Sequence, residues 1–152
     1  MAQGKTIIVL GGGIGGTVAA SRLRKMLPSE HRVVLVERES KHVFSPSFLW
    51  LMIGARRAKQ ISRPMAALAK RGVELVQGEI ERIDAVNRAV RVNGKDLAGD
   101  YLIVALGADL APEAVPGLAQ AGHNFYTLSG AESLRDARLE LRSGRLIVLV
   151  SA

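Results

Sequence analysis

The sequence contains no cysteine, which excludes a disulfide, a thiolate nucleophile and a cysteine-ligated metal site within this chain. Its three histidines, His31, His42 and His123, have no metal-ligand spacing among them, so we expect them at surface or turn positions and expect no metal site. The sequence also lacks a Ser-His-Asp arrangement and a pair of carboxylates placed for acid–base catalysis. We therefore predict no catalytic residue in this chain.

Long apolar runs are absent as well. No run approaches the roughly 18 apolar residues that a membrane-spanning helix needs. The first ten residues carry one lysine and too short an apolar stretch for a signal peptide. These absences lead us to expect a cytoplasmic protein.

Aromatic residues are scarce (one Trp, two Tyr and three Phe), and basic residues outnumber acidic ones by 21 to 14. A net charge of +7 could attract nucleic acid or an anionic membrane surface. However, the chain has no run of five or six like charges, and its aromatic residues do not interleave with basic ones as a base-stacking surface requires. We therefore interpret the charge as a solvated surface and expect no nucleic-acid partner.

A glycine-rich stretch near the start organises the rest of the sequence. Ile7 to Leu10 form a short apolar run typical of a buried parallel strand, and Gly11, Gly13 and Gly16 follow on the spacing G-x-G-x-x-G. A helical period then runs until Pro28. This order predicts a dinucleotide site, because it supplies a tight turn, a bare backbone and a helix N-terminus with free N–H groups.

A second strand and an acidic residue support that prediction. Val33 to Val36 form another apolar run, which ends in Glu37, 37 − 16 = 21 residues after Gly16. At this distance the fold places a carboxylate that accepts hydrogen bonds from a ribose. The bland alternative is a glycine-rich structural turn without a ligand.

Beyond Glu37 the pattern predicts an α/β fold with an antiparallel insertion. Val73 to Val76 predict a third parallel strand, and the alternating runs of residues 79–99 around the hairpin signal Asn93-Gly94 predict a β-meander. Tyr101 to Gly107 predict a further buried strand. For the apolar run Phe48 to Ile53 we favour a short packed helix over a segment that dips into a membrane surface.

The last part of the sequence predicts one more helix and one more strand. Ser129 is the expected cap of a helix that runs to Arg142, with Glu132 completing a capping box. Arg145 to Val150 predict a strand. Because a buried parallel strand is usually followed by a crossover helix, we interpret the chain as the front part of a larger protein.

Together these features resemble the flavoproteins with two dinucleotide-binding domains, and within them the sulfide:quinone oxidoreductase and flavocytochrome sulfide dehydrogenase branch. The resemblance covers nearly the whole chain. It is carried by the glycine fingerprint, Glu37, the meander, Phe44-Ser45-Pro46-Ser47 with the apolar segment that ends at Gly54, and the stretch Asp100 to Gly107. In that last stretch Leu106 replaces the threonine of the family's usual Ala-Thr-Gly motif, so the contact of its hydroxyl is lost.

The resemblance implies a Rossmann-like FAD-binding domain over residues 1–143, with a parallel sheet and an inserted meander at about 79–99. Residues 144–152 would be the first strand of an incomplete second dinucleotide-binding domain. The pyrophosphate of FAD would contact Gly11, Gly12, Gly13, Ile14, Gly15 and Gly16. Its ribose would contact Glu37, with Arg38 beside it, and its adenine would contact the backbone of Ile80. Its isoalloxazine would lie near Ser45, Pro46, Ala105 and Gly107. Ordinary strand packing for Ile80 and strand termination for Gly107 are the alternatives.

The function implied is a flavin-dependent oxidoreductase that passes electrons from a small sulfur donor through FAD to a quinone. The family's redox cysteines are absent here, and its third flavin motif and quinone site would lie beyond Ala152, so we expect the chain not to turn over alone. Membrane contact would be peripheral, at the inner membrane and through that missing part, and oligomers are compatible with the sequence. The alternatives are an NADH:quinone oxidoreductase-type flavoprotein and a non-catalytic dinucleotide-binding module.

Overall fold

The computed structural model describes residues 4–149, which divide into two compact units. The first unit contains the described residues up to Phe44 together with Ser62–Asp109. The second contains Ser45–Ile61 together with the described residues from Leu110 onwards. Within residues 4–149, no helix combines the length and the apolar character that crossing a bilayer requires.

The first unit holds all the strands of the described chain. They are β1 (Thr6–Leu10), β2 (Arg32–Glu37), β3 (Lys41–Val43), β4 (Ser62–Pro64), β5 (Glu74–Gln77), β6 (Ile80–Asp84), β7 (Ala89–Val92), β8 (Lys95–Ala98) and β9 (Tyr101–Val104). Helix α1 spans Ile14–Met26, and a 3-10 helix spans Met65–Arg71.

Four of these strands form a parallel sheet in the order β5-β2-β1-β9. Strand β1 lies in the middle, pairing with β2 through Ile8↔Val34 and with β9 through Ile8↔Leu102. In chain order the parallel strands are therefore arranged 3-2-1-4, so the strand order reverses beside β1. In open α/β sheets, ligands bind outside the carboxyl ends of the strands at such a reversal. The Gly11–Gly16 corner begins there.

The alternation of side chains along β1 explains why both faces of this sheet are covered. Ile7 and Val9 belong to a buried cluster with side chains of α1 and the 3-10 helix. Ile8 and Leu10 belong to a second cluster, which includes Val90 and other meander residues. Burying an aliphatic side chain of this size stabilises the fold by about 1.5–3 kcal/mol. The sheet is therefore held between a helical layer and the meander.

The meander is the antiparallel sheet β6-β7-β8, as the sequence predicts. Asn93 and Gly94 form the turn between β7 and β8, with φ of 50° and 72°. The side-chain amide of Asn93 also donates to the carbonyl of Gln77 at 3.0 Å, which ties this turn to the end of β5. The predicted α/β architecture with its inserted meander is confirmed.

No local pattern in the sequence predicts the small antiparallel sheet made of β3 and β4. His42 pairs with Arg63 in its centre. About 18 residues of chain separate the two strands. Their pairing therefore involves no tight turn that the sequence could predict. A further hydrogen bond, from the N–H of Met65 to the carbonyl of Ser40 at 2.9 Å, extends the same contact.

The second unit is helical. It contains a 3-10 helix at Ser45–Ser47, α2 (Phe48–Met52), α3 (Ala58–Ile61), a second 3-10 helix at Pro112–Ala114, α4 (Leu118–Ala121) and α5 (Leu128–Glu140). The predicted short helix in the apolar run is thus present. Helix α2 packs against α5, and Arg138 of α5 donates to the carbonyl of Ile53 at 3.1 Å.

The predicted cap of α5 is wrong by two residues. Thr127, and not Ser129, is the N-cap, because its extended backbone (φ −107°, ψ 159°) lets its hydroxyl accept from the N–H of Gly130 at 3.0 Å. Ser129 already lies inside the helix. The helix also ends at Glu140 rather than at Arg142.

The predicted strand at Arg145 to Val150 is not formed over its described part. Residues 145–149 carry no strand structure, and the side chains of Leu146 to Leu149 are 67–84% exposed. A strand needs a neighbour for its backbone hydrogen bonds, and none of the described sheets pairs with these residues. Val150 lies outside the described residues. The assignment of residues 144–152 to a second domain stays a prediction.

An ion pair at the other end of the parallel sheet gives a prediction about pH. The Asp100 carboxylate accepts from Lys5 Nζ at 2.9 Å and from the N–H of Thr6 at 2.8 Å, which joins the starts of β1 and β9. These contacts, the Lys5 hydrogen bond first, lower the pKa of Asp100 below its usual range. A carboxylate whose pKa is lowered on folding stabilises the protein above its unfolded-state pKa, about 3.9 for aspartate. That stability is lost as the pH falls through the folded-state pKa.

We therefore expect Asp100→Asn to lower the Tm at neutral pH, and the difference from wild type to vanish as the solution is acidified below the folded-state pKa of Asp100. Thermal denaturation measured from about pH 7 to about pH 3 tests this expectation. Asp96→Asn, at an exposed carboxylate 3.7 Å from Arg91, is the matched control. A difference between wild type and Asp100→Asn that is the same at every pH would contradict the assignment.

Candidate dinucleotide-binding site

Gly11 makes the turn out of β1. Its N–H donates to the carbonyl of Val36 at 2.9 Å, and its φ of +94° lies in the region that side chains rarely adopt. A Cβ at this position would lie 2.5 Å from the carbonyl oxygen of Ala105. The chain can therefore leave the strand here only through glycine.

Gly12 is buried and enclosed by side chains. A Cβ built on it would lie 2.5 Å from Met65 Cε and 2.8 Å from both Cγ and Oε2 of Glu37. Its N–H donates to Glu37 Oε2, and its carbonyl is 2.9 Å from Nδ1 of His42. Both polar groups of this residue are thus paired inside the protein.

Gly13 differs from its neighbours because its outer side is open. A Cβ built on Gly13 would meet no heavy atom within 4 Å, although its backbone (φ −65°, ψ −169°) would accept any side chain. It is the N-cap of α1, where no side chain caps the helix and no acidic residue occupies the first turn. Among residues 4–149, no group accepts a hydrogen bond from the N–H of Gly13 or of Ile14. These donors and the helix dipole are available to an anion.

Gly16 brings α1 close to the turn. A Cβ at Gly16 would lie 1.7 Å from the carbonyl oxygen of Gly11 and 3.6 Å from the Cβ of Ala105. Gly15 is exposed instead, and a Cβ there would meet only Ala105 at 4.0 Å. The first turn of α1 can lie against the ends of β1 and β9 only because Gly16 has no side chain.

Glu37 at the end of β2 points at the corner. One carboxylate oxygen accepts from the N–H of Gly12, and the other accepts from the N–H of Glu39 at 2.9 Å. A carboxylate offers about four acceptor positions, so acceptor capacity remains for two further donors. The pair of hydroxyls on a ribose matches that capacity, as the sequence position of Glu37 predicts.

A cleft of the first unit brings several of the predicted residues together. Its lining includes Gly11, Gly13, Glu37, Arg38 and Ile80. The lining also contains Val36, Leu106 and several residues that the sequence does not single out, namely Glu39, Gly78, Glu79, Glu81, Arg82, Ile83 and Asp109. Most of them come from the start of the meander. Only the packing of the meander on the sheet brings them beside the end of β2.

Ala105 and Gly107 follow β9 at the same end of the sheet. Ala105 donates its N–H to the carbonyl of Leu10 at 2.8 Å and lies against the glycine corner. Gly107 is exposed, with φ of +77°, and a Cβ there would meet nothing within 4 Å. Its backbone is therefore open to close approach, although its predicted contact with a flavin remains a prediction.

Ser45 and Pro46 belong to the second unit. They form the exposed first part of the 3-10 helix, and the buried Ser47 that follows accepts from Arg56 at 3.0 Å. The roles predicted for Ser45 and Pro46 beside an isoalloxazine remain predictions. Over the described range, no group of three or more His, Asp or Glu side chains is arranged to hold a metal ion.

Comparisons with known proteins find similar sequences and similar structures. Residues 5–150 match the sequence model of the family described as pyridine nucleotide-disulphide oxidoreductase. The chain is 31% identical over 140 residues to the sulfide-quinone reductase of Aquifex aeolicus (strain VF5), covering 91% of this chain and 31% of that protein. It is 33% identical over 138 residues to a demethylphylloquinone reductase of Synechocystis, covering 85% of this chain and 34% of that protein.

A solved structure shows the same similarity. The sulfide:quinone oxidoreductase from the hyperthermophilic bacterium Aquifex aeolicus superposes with a TM-score of 0.84 at 30% identity, over 90% of this chain and 32% of that one. The predicted resemblance to this branch of flavoproteins is confirmed. The chain spans about a third of the length of these relatives.

Proposed function

The chain belongs to the pyridine nucleotide-disulphide oxidoreductase family, and we propose that its glycine corner and Glu37 hold FAD by the diphosphate and the adenosine ribose. Flavoproteins of this family carry FAD. The isoalloxazine of FAD supplies two-electron redox chemistry when it is bound. The residues of this chain bind and orient the cofactor.

One observation carries the proposal: the corner is bare at Gly13 and closed at Gly12. The free N–H groups of Gly13 and Ile14 offer donors to the diphosphate at a helix N-terminus. The Glu37 carboxylate lies beside them, fixed by the N–H of Gly12, with acceptor capacity to spare for two ribose hydroxyls. Free N–H donors and a carboxylate acceptor at one corner match the diphosphate and the ribose hydroxyls of an ADP moiety.

Titration of the chain with FAD, followed by flavin fluorescence polarisation and by calorimetry, tests the proposal. ADP should displace FAD, because it carries the groups that the corner and Glu37 bind, whereas FMN, which lacks the adenosine half, should not. NADH is the discriminating competitor. Tight binding of NADH without binding of FAD would overturn the proposal in favour of a non-catalytic dinucleotide-binding module.

The carboxylate of Glu37 gives the first mutational prediction. Glu37→Gln presents an N–H₂ group where a ribose hydroxyl needs an acceptor. It also removes the negative charge that strengthens the two hydrogen bonds expected from the ribose hydroxyls. Hydrogen bonds to charged groups contribute about 1.5–3 kcal/mol each. We therefore expect the Kd for FAD to rise roughly 30-fold, which corresponds to about 2 kcal/mol.

Glu39→Gln is the matched control, since Glu39 is the exposed next acid in the cleft and pairs with Arg38 at 3.5 Å. It should leave the Kd for FAD within about twofold of wild type. Weak binding of FMN should be the same in all three proteins. Equal losses in the two variants would show that the effect comes from net charge and not from a bond to the ribose.

In a protein of its relatives' length, we propose that this domain serves electron transfer from a small-molecule donor through FAD to a quinone. Three lines of support are the family, the similarity to a sulfide-quinone reductase, and the similarity to a demethylphylloquinone reductase. The names of both relatives refer to a quinone as the electron acceptor. A quinone is apolar, so the expected location is the surface of the inner membrane, on the cytoplasmic side.

The two candidate activities differ in their electron donor, which is sulfide in one and NADH in the other. The similarity to a sulfide-quinone reductase, at 31% identity, favours sulfide:quinone chemistry, and an NADH:quinone oxidoreductase-type reaction is the alternative. Anaerobic mixing of the flavin-loaded full-length protein with sulfide or with NADH tests them. Bleaching of the flavin absorbance by sulfide alone supports the sulfide reaction, and bleaching by NADH alone supports the alternative.

A further inference from the structure

The peptide groups on both sides of Gly12 are held by side chains from different strands. Its N–H donates to the Glu37 carboxylate at the end of β2, and its carbonyl is 2.9 Å from Nδ1 of His42 in β3. Because a carbonyl oxygen only accepts, the Nδ1 atom carries the hydrogen in this contact. The two side chains therefore form hydrogen bonds with both backbone polar groups of Gly12.

Because the peptide bond is planar, the hydrogen bond to the Gly12 carbonyl also fixes the orientation of the Gly13 N–H. The carbonyl of Gly12 and the N–H of Gly13 belong to one planar trans peptide, so they point in opposite directions. When His42 holds the carbonyl on the inner side, the N–H of Gly13 is directed to the opposite, outer side. None of the described residues accepts from this N–H, and a Cβ built on Gly13 would meet no heavy atom within 4 Å.

The backbone of glycine has more conformational freedom than that of any other residue, so a contact with another part of the protein is needed to fix the orientation of the Gly12–Gly13 peptide. A glycine can rotate its flanking peptides at little energetic cost, and Gly11, Gly12 and Gly13 follow one another here. Without an external contact the Gly12–Gly13 peptide could turn its N–H away from a ligand. Met65 Cε packs over Gly12 but offers no hydrogen bond.

We propose that His42 is a positioning residue for the dinucleotide: by holding the Gly12 carbonyl, it keeps the N–H of Gly13 directed at the diphosphate. This inference rests on the proposed FAD function and deepens it. Pairing of β3 with β4, His42↔Arg63, fixes the backbone of His42 beside the corner. The role belongs to the Nδ1 atom alone, since this is the atom that contacts the carbonyl.

The position of the donor atom makes a sharp test possible. The side-chain nitrogen of asparagine is attached to Cγ, like Nδ1 of histidine, whereas the nitrogen of glutamine lies one bond further out. His42→Asn therefore keeps a donor at the same place, His42→Gln moves it, and His42→Ala removes it. His123→Ala, at an exposed histidine of the second unit, is the control.

We expect His42→Ala and His42→Gln to raise the Kd for both FAD and ADP about tenfold. His42→Asn should stay within about threefold of wild type, and His123→Ala should match wild type. In ¹H–¹⁵N spectra, the Gly13 amide should shift on addition of ADP in wild type and His42→Asn, and much less in His42→Gln. The Tm of each ligand-free protein is measured alongside.

Binding by His42→Ala equal to wild type would overturn the inference. Equal weakening in His42→Asn and His42→Gln would overturn it too, because a role in packing does not depend on where the donor lies. If His42→Ala fails to fold, the comparison of the Asn and Gln variants decides. Failure of the wild type to bind either FAD or ADP would refute the proposed function itself, which keeps the two failures distinct.

Discussion

Replacing Gly13 with valine is expected to weaken FAD binding about 100-fold while leaving the protein folded. The Gly13 backbone has φ −65° and ψ −169°, which valine adopts without strain, and a Cβ there meets no atom of the protein. The branched side chain would instead occupy the space in which the diphosphate must approach the N–H groups of the corner. Loss of one or two charge-assisted hydrogen bonds, each about 1.5–3 kcal/mol, corresponds to a rise in Kd of about 10-fold to about 10⁴-fold, and we expect about 100-fold.

The stability of Gly13→Val should change little. Removing a glycine reduces the freedom of the unfolded chain, which stabilises the fold, whereas valine is a poorer N-cap than glycine, so we expect the free energy of unfolding to change by less than about 1 kcal/mol. Ala98→Val, at an exposed position on β8, is the control for adding a valine away from the corner. FAD titration and urea denaturation of both variants provide the measurements. A folded Gly13→Val that binds FAD as wild type does would show that the diphosphate lies elsewhere.

Replacing Gly16 with alanine is expected to have the opposite result, a loss of folding stability. The added Cβ would lie 1.7 Å from the carbonyl oxygen of Gly11, which is backbone and cannot rotate aside. To relieve the overlap, α1 must move away from β1, although the cluster of Ile7, Val9 and Ala20 joins them. Overpacking of this kind costs about 1–3 kcal/mol and occasionally more. We expect about 3 kcal/mol here, a large part of the 5–15 kcal/mol that stabilises a typical domain.

Gly15→Ala is the matched control for this change. It adds the same methyl group one residue earlier in the same helix, 4.0 Å from the Cβ of Ala105 and with no closer contact. Alanine is favoured over glycine inside a helix by about 1 kcal/mol, so this variant should be at least as stable as wild type. Urea denaturation of the ligand-free proteins measures both effects. Equal stability of the two variants would mean that α1 does not depend on close approach at Gly16.

Taken together, these variants assign different physical roles to residues of one fingerprint. Gly16 is required by the packing of the protein on itself, whether or not a ligand is bound. Gly13 is not required by that packing, because nothing in the described protein occupies the space beside it, and we propose that a ligand requires it instead. A corner that served folding alone would tolerate a side chain at Gly13, so the binding measurement on Gly13→Val bears directly on function.

Much of the fold follows from local patterns in the sequence. The apolar runs before Gly11 and Glu37 predict β1 and β2, the helical period before Pro28 predicts α1, and Asn93-Gly94 predicts the hairpin of the meander. Each of these signals arises from neighbouring residues: steric limits on φ, the 3.6-residue helical period, or the missing N–H of proline. Glu37 could also be identified from its distance along the chain, because the strand–helix–strand unit has a nearly constant length.

Other features depend on contacts between residues far apart in the sequence. The β3–β4 pairing, the cleft residues Arg82 and Asp109, and the contact of His42 with Gly12 have no local signature. The cap of α5 lies between these cases, since Thr127 and Ser129 are chemically equivalent as caps and only the observed backbone conformation selects Thr127.

By itself, the sequence determined that a bare glycine corner follows a buried strand and that an acid ends the next one. Both are consequences of residue type and spacing, which act over a few residues of chain. The tertiary structure alone decided which side of that corner is open and which is filled by Met65, Glu37 and His42. These side chains come from separate strands and a separate helix, and their meeting depends on how the sheet and its flanking layers pack.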